Sequence, residues 1–242
     1  MKKEITIKAF KNGVSKEKKD FVVIEKNMEI ILNEKTRISL AISPADLREF
    51  TFGFLFSSGF ISSEKDVKEL HIDDDKIEVS LEQKKDLGEI LSLGSSGGRH
   101  IESGQDGEES PFREKLVPDA DKLLSLFAEF ADRSVVFTET GGVHSAAVCD
   151  GETIKFFAED IGRHNAVDKV IGSALLAKID FAAHFLLLSG RISSEMVKKA
   201  FAAGLPTIVS RAAPTSLALE KARRHNMTII GFLRGSRFNL YT

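Results

Sequence analysis

The first ninety residues alternate between apolar and polar positions in the manner of short strands separated by polar turns. The alternation predicts strands at residues 5–9, 21–25, 28–32, 36–42, 67–72 and 76–81. Between the fourth and fifth strands, Ser43 and Pro44 predict the start of a helix that ends by Gly59, because serine caps helices and proline suits their first turn. This part of the chain is therefore predicted to be a small α+β domain, residues 1–91.

A polar segment follows the sixth strand. Residues 92–112 contain almost no apolar side chains and cannot bury enough surface to offset the entropy lost on ordering. We predict a flexible loop or linker here, and a boundary between two domains.

Residues 113–242 change to a pattern of apolar strands that alternate with helices. A helix at 118–131 precedes a short apolar segment at 134–137, and residues 144–148 and 153–158 form a hairpin. Helices then follow Arg163, Ile192 and Thr215, and strands cover 184–188, 206–209 and 228–233. This alternation is typical of a three-layer α/β domain.

At least one arginine follows each of four of these strands, and three of the four strand ends also supply a glycine. In an open α/β sheet, ligands bind beyond the carboxyl ends of the strands, where helix N-termini also point. A single Gly-Arg after a strand is usually a helix cap with a solvated side chain, but arginines at four equivalent strand ends predict a basic cleft for a ligand with several phosphates. The predicted contacts are Gly162, Arg163, Ser189, Gly190, Arg191, Ser210, Arg211, Phe232, Leu233, Arg234, Gly235, Ser236 and Arg237.

Two histidine clusters extend this candidate site. Gly141 and Gly142 allow a close backbone approach beside His144, which could bind a ligand or bond a neighbouring loop. His164 lies near Asp160 in sequence, and the two either form an acid–base pair or fix the loop that carries Arg163.

Composition narrows the classes of function. The net charge of −2 gives no general basic surface for nucleic acid or an anionic membrane. No apolar run approaches the ~20 residues of a membrane helix, and no signal-peptide pattern is visible, so a cytoplasmic location is expected. Cys149 is the one cysteine, which excludes an internal disulfide and a Cys-x-x-Cys pair, and its strand position predicts burial.

Several ordered segments together resemble the FdhD/NarQ family. In the C-terminal half they are residues 137–147, 159–169, 189–191, 203–206, 213–218 and 231–242, and in the N-terminal half 29–33, 52–55 and 58–61. The resemblance covers nearly the whole chain.

The resemblance implies a role in the maturation of formate dehydrogenase. Members of the family take persulfide sulfur from a cysteine desulfurase and pass it to the bis-molybdopterin guanine dinucleotide cofactor, with molybdenum or tungsten, before its insertion. It also implies a homodimer, a C-terminal domain like cytidine deaminase, and guanine nucleotides held along the strand-end loops. Deamination itself is excluded, because the chain has no Pro-Cys-x-x-Cys pair to bind the zinc ion.

The chain departs from the family at the loop that carries sulfur. The family has two cysteines where this sequence has Gly97 and His100, and neither residue can form a persulfide. We therefore predict an accessory protein that binds the cofactor as cargo, with no catalytic residue and no metal ligand of its own. Two alternatives remain: a His/Asp-dependent enzyme acting on a small phosphorylated nucleotide, and a non-catalytic scaffold for the desulfurase or apo formate dehydrogenase.

Overall fold

The computed structural model of the protein describes residues 1–82 and 111–242. Before the gap the chain forms six strands and one helix: β1 (Lys2–Lys11), β2 (Val14–Val23), β3 (Lys26–Leu32), β4 (Thr36–Ile42), α1 (Leu47–Ser57), β5 (Val67–Ile72) and β6 (Lys76–Leu81). After the gap come α2 (Ala120–Arg133), α3 (Val135–Thr140), β7 (His144–Cys149), β8 (Ile154–Asp160), α4 (Arg163–Leu176), β9 (Phe185–Leu188), α5 (Ser194–Ala203), β10 (Thr207–Ser210), α6 (Ser216–Arg224), β11 (Thr228–Arg234) and β12 (Arg237–Leu240). Mixed α/β architecture is thereby confirmed.

The strands of the second half form a six-stranded sheet with the order β12-β11-β10-β9-β7-β8. Strands β9, β10 and β11 are parallel, and β7 is antiparallel to both β9 and β8. Strand β8 therefore points in the same direction as β9, β10 and β11. The carboxyl ends of these four strands share one edge of the sheet, together with the start of β7.

Helices cover both faces of this sheet, as the three-layer pattern predicts. Leu186 and Leu188 pack in one core with residues of α4, α5 and α6. Phe185 and Leu187, which alternate with them along β9, pack in another core with α2. Because both faces of the sheet are buried, its central strands are apolar at every position and do not alternate between apolar and polar residues, as in Phe185–Leu188.

The N-terminal half contains a four-stranded sheet, β4-β3-β6-β5, and a separate two-stranded hairpin, β1-β2. Helix α1 joins this half to the other by direct contact with α4. A Cβ atom added to Gly53 would lie 1.8 Å from the Asp168 carbonyl oxygen, and one added to Gly172 would lie 1.8 Å from that of Glu49. The two helices therefore touch backbone to backbone, which only glycine permits.

Most of the predicted linker, and with it Gly97 and His100, lies outside the described residues, so the predicted domain boundaries stay a prediction. At its described end, the ring centroid of Phe112 lies 5.2 Å from that of Phe201. The Phe112 N–H also donates to the His225 carbonyl oxygen at 3.0 Å. This end of the segment is thus packed against α5 and the end of α6.

Four local predictions need correction. Strands β1 and β2 are ten residues each and pair along their full length around Asn12 and Gly13, both with positive φ. Ser43 does not cap α1, which begins at Leu47 after Asp46. The apolar segment at 134–137 begins the short helix α3, and the final strand β12 had no counterpart in the sequence prediction.

Candidate functional site

Four arginines lie where the carboxyl ends of the parallel strands meet. Arg163 is the first residue of α4, three residues after the end of β8, and Arg191 is three residues after the end of β9. Arg211 directly follows β10, and Arg234 is the last residue of β11. The topology therefore brings the four predicted strand exits to one edge, as the sequence argument requires.

A cavity of about 670 Å³ opens at this edge. Its size falls in the range of small-molecule sites. Six of the predicted site residues line it, namely Gly141, Gly142, His144, Ser189, Arg211 and Arg234. Its other lining residues are Phe127, Phe130, Ala131, Ser134, Phe137, Thr138, Val143, Ser145, Ile161 and Ala212. One side of the cavity is therefore basic, and the other is apolar and aromatic.

The four strand-end arginines form no ion pair with a carboxylate anywhere in residues 1–82 and 111–242. Arginines elsewhere do: Arg37 pairs with Glu29 at 2.7 Å, and Arg133 with Glu129 at 2.5 Å. The Nε atom of Arg163 is buried without a hydrogen-bond partner, and Arg234 donates from Nε to the Arg211 carbonyl oxygen at 3.4 Å. Their positive charge is therefore available to an external anion.

His144 lines the cavity together with Arg211 and Arg234, and it lies close to Arg163 and Arg191. It is the first residue of β7, lines the cavity, and has its Nδ1 atom 3.5 Å from the Ser189 hydroxyl. Burial, and then the charges of Arg163 and Arg191, lower the pKa of His144. A neutral imidazole at pH 7 follows, able to accept or donate one hydrogen bond without adding charge.

Gly190 allows this close arrangement. A Cβ atom at this position would lie 3.3 Å from the His144 Nδ1 atom and 3.6 Å from the Arg163 Cβ atom. The Ser210 hydroxyl donates to the Gly190 carbonyl oxygen at 2.6 Å and accepts from the Ala212 N–H at 2.9 Å. Ser210 is itself buried, so it positions two loops of the site and is not exposed to a ligand.

Asp160 does not fit its predicted role as a ligand contact. Its carboxylate is fully buried and lies 2.7 Å from the Lys169 Nζ atom. It also accepts hydrogen bonds of 2.8–3.1 Å from the N–H groups of Ser43 and Gly162 and from the Asn165 amide. Asp160 therefore anchors the loop that carries Arg163, beneath the site.

His164 is also neutral and lies away from the cavity. Burial, followed by the charges of Lys199 and Arg163, lowers the pKa of His164 to about 3. Its Nε2 atom is 3.7 Å from a carboxylate oxygen of Glu195, at the start of α5. An acid–base pair with Asp160 is not formed, and within the described residues the buried His164 Nε2 atom has no hydrogen-bond partner.

The predicted contacts in the last loop fall into two groups. Leu233 is buried in the core between the sheet and α2, so its side chain cannot reach a ligand. Phe232, Gly235, Ser236 and Arg237 are exposed around the turn between β11 and β12, beside Arg234 and outside the cavity lining. Phe232 has φ of 55°, an unusual conformation for a bulky residue, and it lies where the register between β11 and β12 shifts.

Sequence reasoning missed the aromatic wall from α2 and α3. Helix α3 is held in place by Glu159, whose carboxylate accepts hydrogen bonds of 2.9 Å from the N–H groups of Val136 and Phe137. The spacing of three and four residues between Leu123, Leu126 and Phe130 on α2 was a usable signal for a buried helical face. Helix α3 has six residues, too few for a helical period to be recognised.

Cys149 is buried in β7, as predicted, and burial raises the pKa of its thiol to about 12. No helix in the described parts of the chain is long and apolar enough to cross a membrane.

The protein has a mixed α/β fold with a basic cavity at the strand ends. The FdhD/NarQ family model matches it over residues 23–242, so the protein belongs to that family. It is 36% identical to a sulfur carrier protein FdhD of Bacillus pumilus, with 100% of this chain and 96% of the relative covered. It is 35% identical to the sulfur carrier protein FdhD of Bacillus subtilis, with 96% and 92% covered.

A solved structure supports the same conclusion. The crystal structure of a putative formate dehydrogenase accessory protein from Desulfotalea psychrophila matches with a TM-score of 0.80 and 28% identity, covering 100% of this chain and 96% of that one. The family prediction is therefore confirmed, whereas the likeness of the C-terminal half to cytidine deaminase stays a prediction.

Proposed function

We propose that this chain is an accessory protein for the maturation of formate dehydrogenase, and that it binds the bis-molybdopterin guanine dinucleotide cofactor as cargo. The named relatives support the first part of the proposal, since they are called sulfur carrier proteins and a formate dehydrogenase accessory protein. The second part rests on the cavity and its charges.

The observation that carries the proposal is the set of strand-end arginines that have no carboxylate partner within residues 1–82 and 111–242. Arg211 and Arg234 line the cavity, and Arg163 and Arg191 adjoin it through His144. An unpaired guanidinium group offers a planar set of donors that fits phosphate oxygens. Because all four arise from separate strand ends, the site suits a diphosphate better than a single small anion.

The aromatic wall suits the base of the same nucleotide. Phe137 is exposed on α3, and Phe127 and the buried Phe130 of α2 also line the cavity. A purine ring stacked on an aromatic side chain gains about 1–3 kcal/mol. A cavity of about 670 Å³ is suited to one guanine nucleotide half, and the rest of the cofactor would extend beyond it.

We propose cofactor binding for this chain, but not the transfer of sulfur. A persulfide carrier needs an accessible thiolate, but Cys149 is the one cysteine, is buried, and has its pKa raised to about 12. We therefore infer that this chain holds and hands over the cofactor without carrying a persulfide. A cysteine desulfurase partner and a homodimer stay predictions.

The two earlier alternatives differ in what they need from the cavity. A His/Asp enzyme needs a carboxylate beside its histidine, and Asp160 is instead paired with Lys169. A pure scaffold needs no ligand at all.

Calorimetry with guanine nucleotides tests the proposal. GDP is expected to bind at least ~100-fold more tightly than guanosine, because the diphosphate alone engages the arginines. Inorganic pyrophosphate, as a matched control without the base, should bind with intermediate affinity. Equal affinity for GDP and guanosine, or no binding of GDP, would contradict the proposal.

A further inference from the structure

His144 is the titratable side chain of the cavity wall that is uncharged in the free protein. It is half-buried at the start of β7, and Arg211 and Arg234 line the same cavity. An anion held by these two arginines therefore lies in the same cavity as the imidazole ring.

Cations surround His144 from separate elements of the fold. Burial lowers the pKa of His144 most, and Arg163 at the start of α4 and Arg191 in the loop after β9 lower it further. His164, also at the start of α4, interacts with it as a neutral ring, since the pKa of His164 is about 3. In the free protein, a proton on His144 would thus add positive charge to an edge that already carries four arginines.

The carboxylates nearest in the fold are bound to other groups. Asp160 is the cross-strand partner of His144 and raises its pKa, but Asp160 is itself paired with Lys169. Glu159 accepts from two N–H groups of α3, and Glu139 pairs with a lysine of β1. Among the described residues, the cavity lining contains no carboxylate. Negative charge that would stabilise a protonated His144 must therefore come from a ligand.

Ser189 suits either protonation state of His144. Its hydroxyl oxygen lies 3.5 Å from the His144 Nδ1 atom and accepts a hydrogen bond of 2.9 Å from the Ser145 N–H. The hydroxyl can donate its proton to a neutral Nδ1, or accept from a protonated Nδ1 through its second lone pair. The ring also packs on Gly190, where an added Cβ atom would lie 3.3 Å from Nδ1. A change of protonation therefore requires no movement of the ring.

A diphosphate at the arginines reverses the electrostatic balance at His144. Without a ligand, burial and two guanidinium groups favour the neutral ring. An opposite charge within about 4–6 Å favours the charged form of a titratable group and shifts its pKa by ~1–3. A ligand with two negative charges offsets the arginines and attracts a proton to the imidazole.

We propose that His144 takes up a proton from solvent when a diphosphate binds, so that the imidazolium joins the arginines in holding the ligand and binding weakens as the pH rises. The inference rests on the proposed function, because it requires an anionic ligand in the cavity. Release of the diphosphate returns the proton to solvent, and pH thereby regulates how firmly the cargo is held.

NMR of the histidine Cε1–H resonances of the whole protein, followed against pH with and without saturating GDP, tests this proposal. The chain contains six histidines, and either His144→Gln or His144→Asn identifies the resonance of His144. Its titration midpoint should lie below 6.5 in the free protein and rise by at least ~1 pH unit with GDP bound. His184 precedes β9 at the opposite edge of the sheet, and GDP should leave its midpoint unchanged.

Calorimetry with GDP at about pH 6 and about pH 8 gives the corresponding change in affinity. Because the pKa of His144 is higher in the complex, binding to the parent should weaken across this interval by at least ~3-fold more than binding to His144→Gln. The comparison with the variant cancels the titration of GDP itself, whose terminal phosphate has a pKa of roughly 6.

The NMR result separates this inference from the proposed function. If GDP binds to the parent but the His144 midpoint stays the same or falls, the inference is overturned and the proposed function stands. Absence of GDP binding to the parent would contradict the proposed function, and the inference with it.

Discussion

Charged residues occur in two contrasting settings on either side of the strand-end edge. Beneath it, Asp160 pairs with Lys169, and Asp168 pairs with Lys199, at 2.7 Å in each case; we call these four residues the floor. Above it, Arg163, Arg191, Arg211 and Arg234 have no carboxylate partner in the described parts of the chain; we call them the rim. The floor is buried and satisfied internally, whereas the rim is open to ligand.

The difference teaches how to separate structural charges from functional ones. A buried charge is tolerated only when paired and hydrogen-bonded, so the floor is explained by folding alone. Rim arginines have no carboxylate partner in the described residues, and two of them, Arg163 and Arg191, lie close enough to His144 to add to the lowering of its pKa by burial. Four uncompensated positive charges at one edge disfavour the free protein and favour an anionic complex.

The largest effect on stability is expected from the floor. Lys169→Met leaves the fully buried Asp160 carboxylate without its cation, which should lower the free energy of unfolding by about 3–5 kcal/mol. Urea denaturation measures the change. Arg224→Met is the control, because its pair with Glu220 is exposed and should contribute little. Similar losses for both variants would remove the distinction between buried and exposed pairs.

Close packing of α1 on α4 beside the floor predicts the next largest effect. Gly53→Ala places a methyl group 1.8 Å from the Asp168 carbonyl oxygen, so the helices must separate. Overpacking of this kind should cost about 1–3 kcal/mol of unfolding free energy in the same denaturation assay. Gly13→Ala is a useful comparison, since nothing lies within 4 Å of the added carbon and only its positive φ opposes the change. Equal stability of the Gly53→Ala variant and the parent would contradict the backbone contact.

A smaller effect comes from pH through His164. Its folded pKa of about 3 lies below the ordinary value of 6.5, so the unfolded chain binds a proton that the folded protein does not. Stability is therefore fully present above pH 6.5 and is lost as pH falls towards 3. Between pH 7 and 5.5 the loss from this residue should be about 1 kcal/mol. The His164→Asn variant should show a correspondingly smaller loss in urea denaturation, and an unchanged pH dependence would argue that His164 is already charged in the folded protein.

Local sequence patterns predicted the elements that determine the cavity's position. Apolar strands alternating with helices gave the sheet, and its parallel direction brought Arg163, Arg191, Arg211 and Arg234 to one edge. Interactions across long separations could not be predicted. Asp160 accepts from the Ser43 N–H, 117 residues earlier in the chain, and this pairing converts a supposed ligand contact into a structural one.

The hairpin shows the opposite kind of failure, in which a usable signal was present. Lysines hide the alternation of β2, but Asn-Gly at residues 12–13 is a strong signal for a tight hairpin turn. Residues 16–20 are so polar that they resemble a solvated loop. Had the Asn-Gly turn been treated as the stronger signal, both strands of the hairpin would have been predicted in full.

The smallest effect on stability, and the most direct test of the account, is expected at the rim. Arg211→Ala/Arg234→Ala removes two exposed guanidinium groups that have no carboxylate partner in the part of the chain that the structure describes, so its free energy of unfolding should stay within error of the parent's. Isothermal titration calorimetry with GDP should nevertheless show binding weakened by about 3–6 kcal/mol, since hydrogen bonds to charged groups contribute about 1.5–3 kcal/mol each. Arg133→Ala, whose guanidinium group is paired with Glu129, should retain the parent's affinity. Unchanged GDP affinity in the double variant would contradict the claim that the strand-end arginines bind a diphosphate.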